Sequence, residues 1–331
     1  MRRAIRRTIR GVLLTCAAIA ATGAGAYLWL IHAPEPAPPA YALDRLSMEV
    51  DGRTRDYELF VPRRHAPMSP LLLAFHGSMG DPSTIRRRTG YRFEALAERR
   101  GFVIAYPQGV GGYWNGCRAA ATHVANAEGI DDVGFVRRLV GDLAESGRID
   151  ARRVFATGYS NGGHMAFRLA LEAPDLVAGI ATFSASLPAD GNLDCDLSDT
   201  PVRTAILNGT EDPINPFHGG EVSLFGFGSL GEVRSSGQSA GYFRELHGAT
   251  GAAATRTLVS GPRRVRVEEW SRGGTPVVSL LTVVGGGHTI PQTTYRFPRL
   301  LGPTVGSDAV IDYLWEFLRD DRPAERPAAG R

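Results

Sequence analysis

The sequence predicts an α/β protein with a mostly parallel central sheet and helices on both faces. Three observations carry that expectation. Six short runs, at residues 71–75, 102–106, 154–156, 177–183, 202–207 and 277–284, are apolar almost throughout, and strands without polar alternation are buried on both faces, as in parallel sheets. Segments with helical spacing lie between them, among them 132–143 and 162–171, so strand and helix alternate along the chain. Finally, Gly158-Tyr159-Ser160-Asn161-Gly162 sits directly between one such strand and one such helix.

Of the 331 residues, 43% are hydrophobic and 21% charged, which suits a large globular domain and excludes disordered, collagen-like and polytopic membrane classes. The net charge of +3 is misleading. All 37 cationic residues are arginine, and Arg2, Arg3, Arg6, Arg7 and Arg10 crowd the first ten positions, leaving 32 against 34 acids elsewhere. A nucleic-acid binder needs its basic excess on the folded body, so no nucleic-acid partner is expected.

The basic cluster introduces an apolar, uncharged run at residues 11–31, followed by a Pro-rich stretch at 33–40. Ala24-Gly25-Ala26 fits a small-residue cleavage site, yet the run continues through Tyr27, Leu28, Trp29, Leu30 and Ile31, giving about the 20 residues a spanning helix needs. The segment is therefore read as a signal peptide or a membrane anchor. In either case the arginines stay cytoplasmic, and the rest of the chain is expected to be secreted, periplasmic or tethered to the outer side of the cytoplasmic membrane. Cys16 lies inside the apolar run, where it reads as a buried residue of that segment.

The expected organisation is residues 1–42 as signal or anchor plus linker, 43–319 as one catalytic domain, and 320–331 as a disordered tail. The domain opens with an alternating β-hairpin over 46–50 and 57–61, turning at Asp51-Gly52. Its last helix is expected to take Ser307 as cap and to bury Val310, Ile311, Leu314, Phe317 and Leu318. Outside the cytoplasm disulfides persist, so Cys117 and Cys195, the remaining two cysteines, are expected to pair. Their spacing and neighbours do not suit a zinc site, and no metal is expected.

The Gly158–Gly162 pentapeptide in its strand-to-helix context is a nucleophile elbow. So tight a turn strains the serine backbone, requires glycines on either side, and projects the serine oxygen over a helix N-terminus. The acid and base of such a site come later in the chain. Asp212 follows the run at 202–207, and His288 follows that at 277–284 in Gly285-Gly286-Gly287-His288. All three thus fall on loops at one end of a parallel sheet, as an acyl-transfer triad requires.

Other candidates are weaker. Glu211 should face away from the site in an extended loop, while Asp194 and Asp196 precede the relevant strand. His164 enters the helix and reads as a packed residue, and His123, His218 and His247 have nothing convergent around them. For the oxyanion, the expected donors are the N–H of Asn161, after the nucleophile, and that of Ser78 in the loop His76-Gly77-Ser78-Met79-Gly80.

Taken in order, His76-Gly77-Ser78, Tyr106-Pro107-Gln108-Gly109, Trp114-Asn115, Asp131-Asp132-Val133-Gly134-Phe135, Gly158-Tyr159-Ser160-Asn161-Gly162-Gly163, Gly209-Thr210-Glu211-Asp212-Pro213 and Gly286-Gly287-His288-Thr289 resemble secreted polyhydroxybutyrate depolymerase-like esterases and their feruloyl and acetylxylan esterase relatives. The resemblance spans residues 57–317. It implies the α/β-hydrolase fold, no cofactor, an ester substrate, and Ser160, Asp212 and His288 as triad. It also implies that Trp114 lines the acyl or sugar cleft, unless that residue is a packing aromatic. Asp131 and Asp132 read as caps of the helix they precede.

Where relatives often carry an aromatic residue, this chain has Ile290, so a stacking platform is not expected. No polymer-binding module is recognised. The Gly-rich stretch 219–231, with Leu224, Phe225, Phe227 and Leu230, reads either as an apolar rim over the site or as a surface loop. These readings converge on an extracytoplasmic serine carboxylic-ester hydrolase acting on short-chain hydroxyalkanoate or similar small acyl esters. The alternatives are a feruloyl or acetylxylan esterase, a peptidase using the same triad, and an exported binding protein without catalysis.

Overall fold

A computed structural model describes residues 22–31 and 34–319. The segment expected as signal or anchor lies partly, and the expected tail wholly, outside them. Residues 22–31 are helical and mostly exposed, and no helix among the described residues is long and apolar enough to cross a membrane.

Ten strands form one sheet in the order β1-β2-β4-β3-β5-β6-β7-β12-β11-β10. At one edge, β1 (Asp44–Val50) and β2 (Arg53–Phe60) form the expected hairpin, with β2 antiparallel to β4 (Val103–Pro107). The centre is parallel throughout: β4, β3 (Ser69–Phe75), β5 (Ile149–Tyr159), β6 (Gly179–Phe183), β7 (Arg203–Gly209) and β12 (Thr275–Val283). The other edge is antiparallel again, through β11 (Val265–Arg272) and β10 (Ala254–Val259). A separate two-stranded hairpin, β8 (Gly220–Leu224) and β9 (Phe227–Val233), stands off the sheet.

Alternate residues of each central strand enter different cores, as the two-residue period of a strand demands. Leu71, Leu73 and Phe75 pack on one face with α4 (Asp132–Glu145), α5 (Asn161–Glu172) and α6 (Ser236–Leu246). Leu72 and Ala74 pack on the other with α1 (Pro82–Arg88), α2 (Arg92–Arg100) and α7 (Ala309–Leu318). Between β4 and α4 runs the one-turn helix α3 (Val124–Ala127).

Local chemistry sets the helix limits. Asp81 caps α1 by accepting the Thr84 N–H, with Pro82 entering the first turn. In α4 the apolar positions Phe135, Val136, Leu139, Val140 and Leu143 form one buried stripe. A reciprocal Ser235–Gln238 capping box starts α6.

Two expectations are corrected here. The last helix begins at Ala309 with Asp308, not Ser307, in the cap position, although its apolar face is the one expected. The Asp308 carboxylate is drawn off to the Thr293 N–H and hydroxyl, while Ser307 Oγ accepts the Ala309 N–H at 3.3 Å. Of the two aspartates at the start of α4, Asp131 caps it through the Gly134 N–H, but Asp132 is buried in an ion pair with Arg55 at 2.6 Å and also accepts the Asn115 N–H.

Candidate active site

Strand β5 ends at Tyr159 and α5 begins at Asn161, leaving Ser160 alone in the turn with φ 55° and ψ −118°. A non-glycine residue in that region is strained and must be held by its surroundings. The Ser160 N–H donates to the Phe183 carbonyl at 2.8 Å, and the Ser160 carbonyl accepts from Gly163 at 2.8 Å. The flanking glycines are needed for approach: a side chain on Gly158 would meet the Gly162 carbonyl, and one on Gly162 the Phe75 carbonyl.

His288 and Asp212 arrive from the ends of β12 and β7. The His288 Nδ1 lies 2.8 and 3.0 Å from the two Asp212 carboxylate oxygens, and both side chains are buried. Asp212 Oδ1 also accepts the N–H groups of Ile214 and Asn215, each at 2.8 Å, which fixes its rotamer. On the other flank, the Tyr159 hydroxyl donates to the His288 carbonyl at 2.7 Å. Ser160 and His288 line a common pocket of about 170 Å³. A larger hollow of about 440 Å³, beside Asp56 and Asp81, contains no histidine.

Asn161 is the first residue of α5, so its N–H has no acceptor within the helix. Ser78 also lines the pocket, and its N–H has no acceptor among the described residues. The loop bearing Ser78 is fixed by His76. Burial lowers the His76 pKa to about 4, so the ring is neutral; its Nδ1–H donates to the Gly77 carbonyl and its Nε2 accepts the Gly109 N–H.

Trp114 does not line the cleft as expected. It is fully buried, and its indole N–H donates to the His76 carbonyl at 3.0 Å. Its backbone is gripped by the Asn161 side chain, whose Oδ1 accepts the Trp114 N–H and whose Nδ2 donates to the Trp114 carbonyl. Trp114 therefore ties the loop bearing Ser78 to the residue after Ser160. Cys117 and Cys195 are joined in a disulfide, their Cα atoms 5.0 Å apart.

Among the rivals, Glu211, Asp194, Asp196 and His218 are exposed. His247 is buried with its Nε2 against the Val202 carbonyl, and His123 stacks on Tyr113. His164 is packed, as expected, but it also forms part of the pocket wall, and burial drives its pKa well down. The Gly-rich stretch is the β8–β9 hairpin, and Leu224, Phe225 and Leu230 face the pocket while Phe227 is exposed. Ile290 is buried away from it.

Several pocket residues escaped the sequence reading: Arg88, Arg118, Ser184 and Asn215. No motif marks them. Ser184 Oγ, Asn215 Oδ1 and the Nε atoms of both arginines are buried without a hydrogen-bond partner among the described residues, and unpaired polar groups in a cleft are what a ligand would satisfy.

The fold and this constellation define an α/β hydrolase. Residues 117–224 match the phospholipase/carboxylesterase family. The chain is 28% identical over 327 residues to NocK of Nocardia uniformis subsp. tsuyamanensis, a protein carrying the name of an esterase, covering 86% of this chain and 90% of that one. It is also similar to the poly(3-hydroxybutyrate) depolymerase of Ralstonia pickettii, at 25% identity over 88% of this chain and 58% of the other. With feruloyl esterase C of Emericella nidulans it shares 28% identity over 50% of this chain and 58% of that protein. Among solved structures, the acetyl xylan esterase of Aspergillus awamori superposes with a TM-score of 0.53 at 17% identity, over 76% of this chain and 95% of that one, which speaks for the fold.

Proposed function

We propose that the chain is an extracytoplasmic serine carboxylic-ester hydrolase for short-chain hydroxyalkanoate or similar small acyl esters. The observation that carries the reading is the shared pocket of Ser160 and His288, with His288 bonded through Nδ1 to buried Asp212. Ser160 Oγ attacks the ester carbonyl as its proton passes to His288 Nε2. Asp212 holds the ring and stabilises the imidazolium. The N–H groups of Asn161 and Ser78 take the oxyanion. Collapse breaks the bond to the alcohol, which leaves with the proton from His288. Water then attacks the acyl-serine, returning its proton through His288 and releasing the acid.

The small pocket favours a short acyl group, since about 170 Å³ falls below the range of about 300–1,000 Å³ usual for drug-sized ligands. Feruloyl or acetylxylan ester hydrolysis is the second reading, favoured by the apolar wall of Val222, Leu224, Phe225 and Leu230. The arginine-flanked apolar run and the disulfide support an extracytoplasmic site. The reading takes residues 43–319 as the catalytic unit.

The test is fluorophosphonate labelling of the full chain beside Ser160→Ala, followed by hydrolysis of acetyl, butyryl, hydroxybutyryl and feruloyl esters. Labelling that disappears in the variant supports the serine mechanism, and the order of esters separates the two substrate readings. A folded protein that neither labels nor turns over any ester would overturn the proposal.

A further inference from the structure

Arg118 is only 3% exposed, yet it lines the pocket beside Ser160. No carboxylate pairs with its guanidinium among the described residues, and its Nε is buried with no acceptor. Burial alone lowers its pKa, to about 10, with no acid raising it, so the group remains charged at neutral pH. A buried, unpaired cation is strongly disfavoured unless something supplies the missing anion.

The rest of the pocket does not supply it. Arg88, also on the pocket wall, has a buried, unpartnered Nε and lies 4.9 Å over the Tyr159 ring. No aspartate or glutamate lines the pocket, and the neighbouring histidines His123 and His164 are held neutral by burial, with Arg118 pushing their pKa values further down. The main chain around Arg118 is fixed: Cys117 is in the disulfide, Arg118 bridges to Leu193, and its carbonyl accepts the Asn126 side-chain amide. Arg118 is thus a dehydrated, unpaired cation held on the wall of the pocket that contains Ser160 and His288, and a guanidinium there offers a carboxylate a donor fork.

We propose that Arg118 binds a carboxylate of the substrate, so that the enzyme is selective for esters bearing a free acid group near the scissile bond. This rests on the esterase reading above, and it narrows the substrate class: hydroxyalkanoate oligomers end in such a carboxylate by their own chemistry, whereas a neutral acetyl or alkyl ester leaves Arg118 unpaired. Arg88 adds positive potential to the same pocket.

The test uses the full chain and two matched substrate pairs. The linear dimer of 3-hydroxybutyrate against its methyl ester places the charge on the leaving alcohol, and monoethyl adipate against diethyl adipate places it on the acyl side. The acid should exceed its neutral partner in kcat/KM by about tenfold or more in at least one pair, mostly through KM, and the responding pair identifies the side Arg118 serves. In Arg118→Gln that ratio should fall to about one or below. Equal turnover of acid and neutral esters in both pairs, or a ratio unmoved by the substitution, overturns the proposal while leaving the esterase reading intact.

Should Arg118→Gln fail to fold, calorimetric titration of the natural protein with 3-hydroxybutyrate and with 3-hydroxybutyramide replaces it. Tighter binding of the acid supports the assignment, and no preference overturns it. That measurement needs no turnover, so it separates failure of the anion site from failure of the esterase reading.

Discussion

Trp114 and Asn161 hold each other by two reciprocal hydrogen bonds, the Trp114 N–H to Asn161 Oδ1 at 2.7 Å and the Asn161 side-chain amide to the Trp114 carbonyl at 3.0 Å. The indole N–H of Trp114 extends the chain to the His76 carbonyl. One buried tryptophan outside the pocket lining therefore links the segments that carry both expected oxyanion donors. Trp114→Phe keeps an aromatic side chain but loses the second ring and that bond, leaving a buried carbonyl unpaired at a cost of about 1–3 kcal/mol beside the loss of packing. The expected result is a folded enzyme with kcat down about tenfold and KM little changed, short of the ~10²–10³ lost with an oxyanion donor itself. Steady-state kinetics with a nitrophenyl ester reads both quantities.

Asp212→Asn should leave the fold intact and lower kcat by about 10⁴, because an amide can fix the wrong His288 tautomer and cannot stabilise the imidazolium. Burst kinetics with a chromogenic ester would check this, and a loss below tenfold would remove Asp212 from its assigned role.

Acid should destabilise the protein well before the carboxylates titrate. Burial lowers the His76 pKa to about 4 from the ordinary 6.5, so below pH 6.5 the unfolded chain binds a proton that the folded one refuses. Stability is full above pH 6.5, falls as the pH drops towards 4, and levels off below that. His76 alone accounts for a loss on the order of 3 kcal/mol across this window, and His123, His164 and His247, shifted the same way by burial, act in the same direction. Urea denaturation at pH 7, 5.5 and 4.5 should show the midpoint falling at each step.

Much of this site could be read in the sequence because its parts sit where strands end. Ser160, Asp212 and His288 each follow an apolar run, and around Ser160 backbone crowding imposes the glycines at 158 and 162 on any sequence that makes the turn. For Trp114 the sequence leaves cleft lining and packing open, and the structure shows the packed alternative: its indole bonds a backbone carbonyl, which leaves no trace in the residue string. The strands β10 and β11 carry Arg256, Arg266, Glu268 and Glu269 among their apolar residues, so they lack the apolar continuity that reveals the central strands. Arg118 has no local signature at all; only the fold shows that no acid among the described residues opposes its charge.

The β8–β9 hairpin predicts a specificity change. Phe225, at the hairpin tip with φ 56°, closes the pocket together with Leu224 and Leu230. Phe225→Ala should raise octanoyl over acetyl ester hydrolysis by about tenfold or more, since even one methylene in an apolar pocket is worth about that much. A chain-length series on both proteins tests it, and an unchanged ratio would mean that the hairpin does not limit the acyl group.

Replacing Cys117 and Cys195 together by alanine should cost about 2–4 kcal/mol, mainly by freeing the unfolded chain. Thermal melts of the two proteins give the difference directly.

That same bond closes a ring of chain 78 residues in sequence separation, and Ser160 lies inside it. A protease that severs one peptide bond anywhere between Cys117 and Cys195 therefore releases no fragment: the nicked halves stay covalently joined, and the nucleophile stays attached to the strands that bring Asp212 and His288. Ser160 is thus carried on a loop that one cut cannot detach.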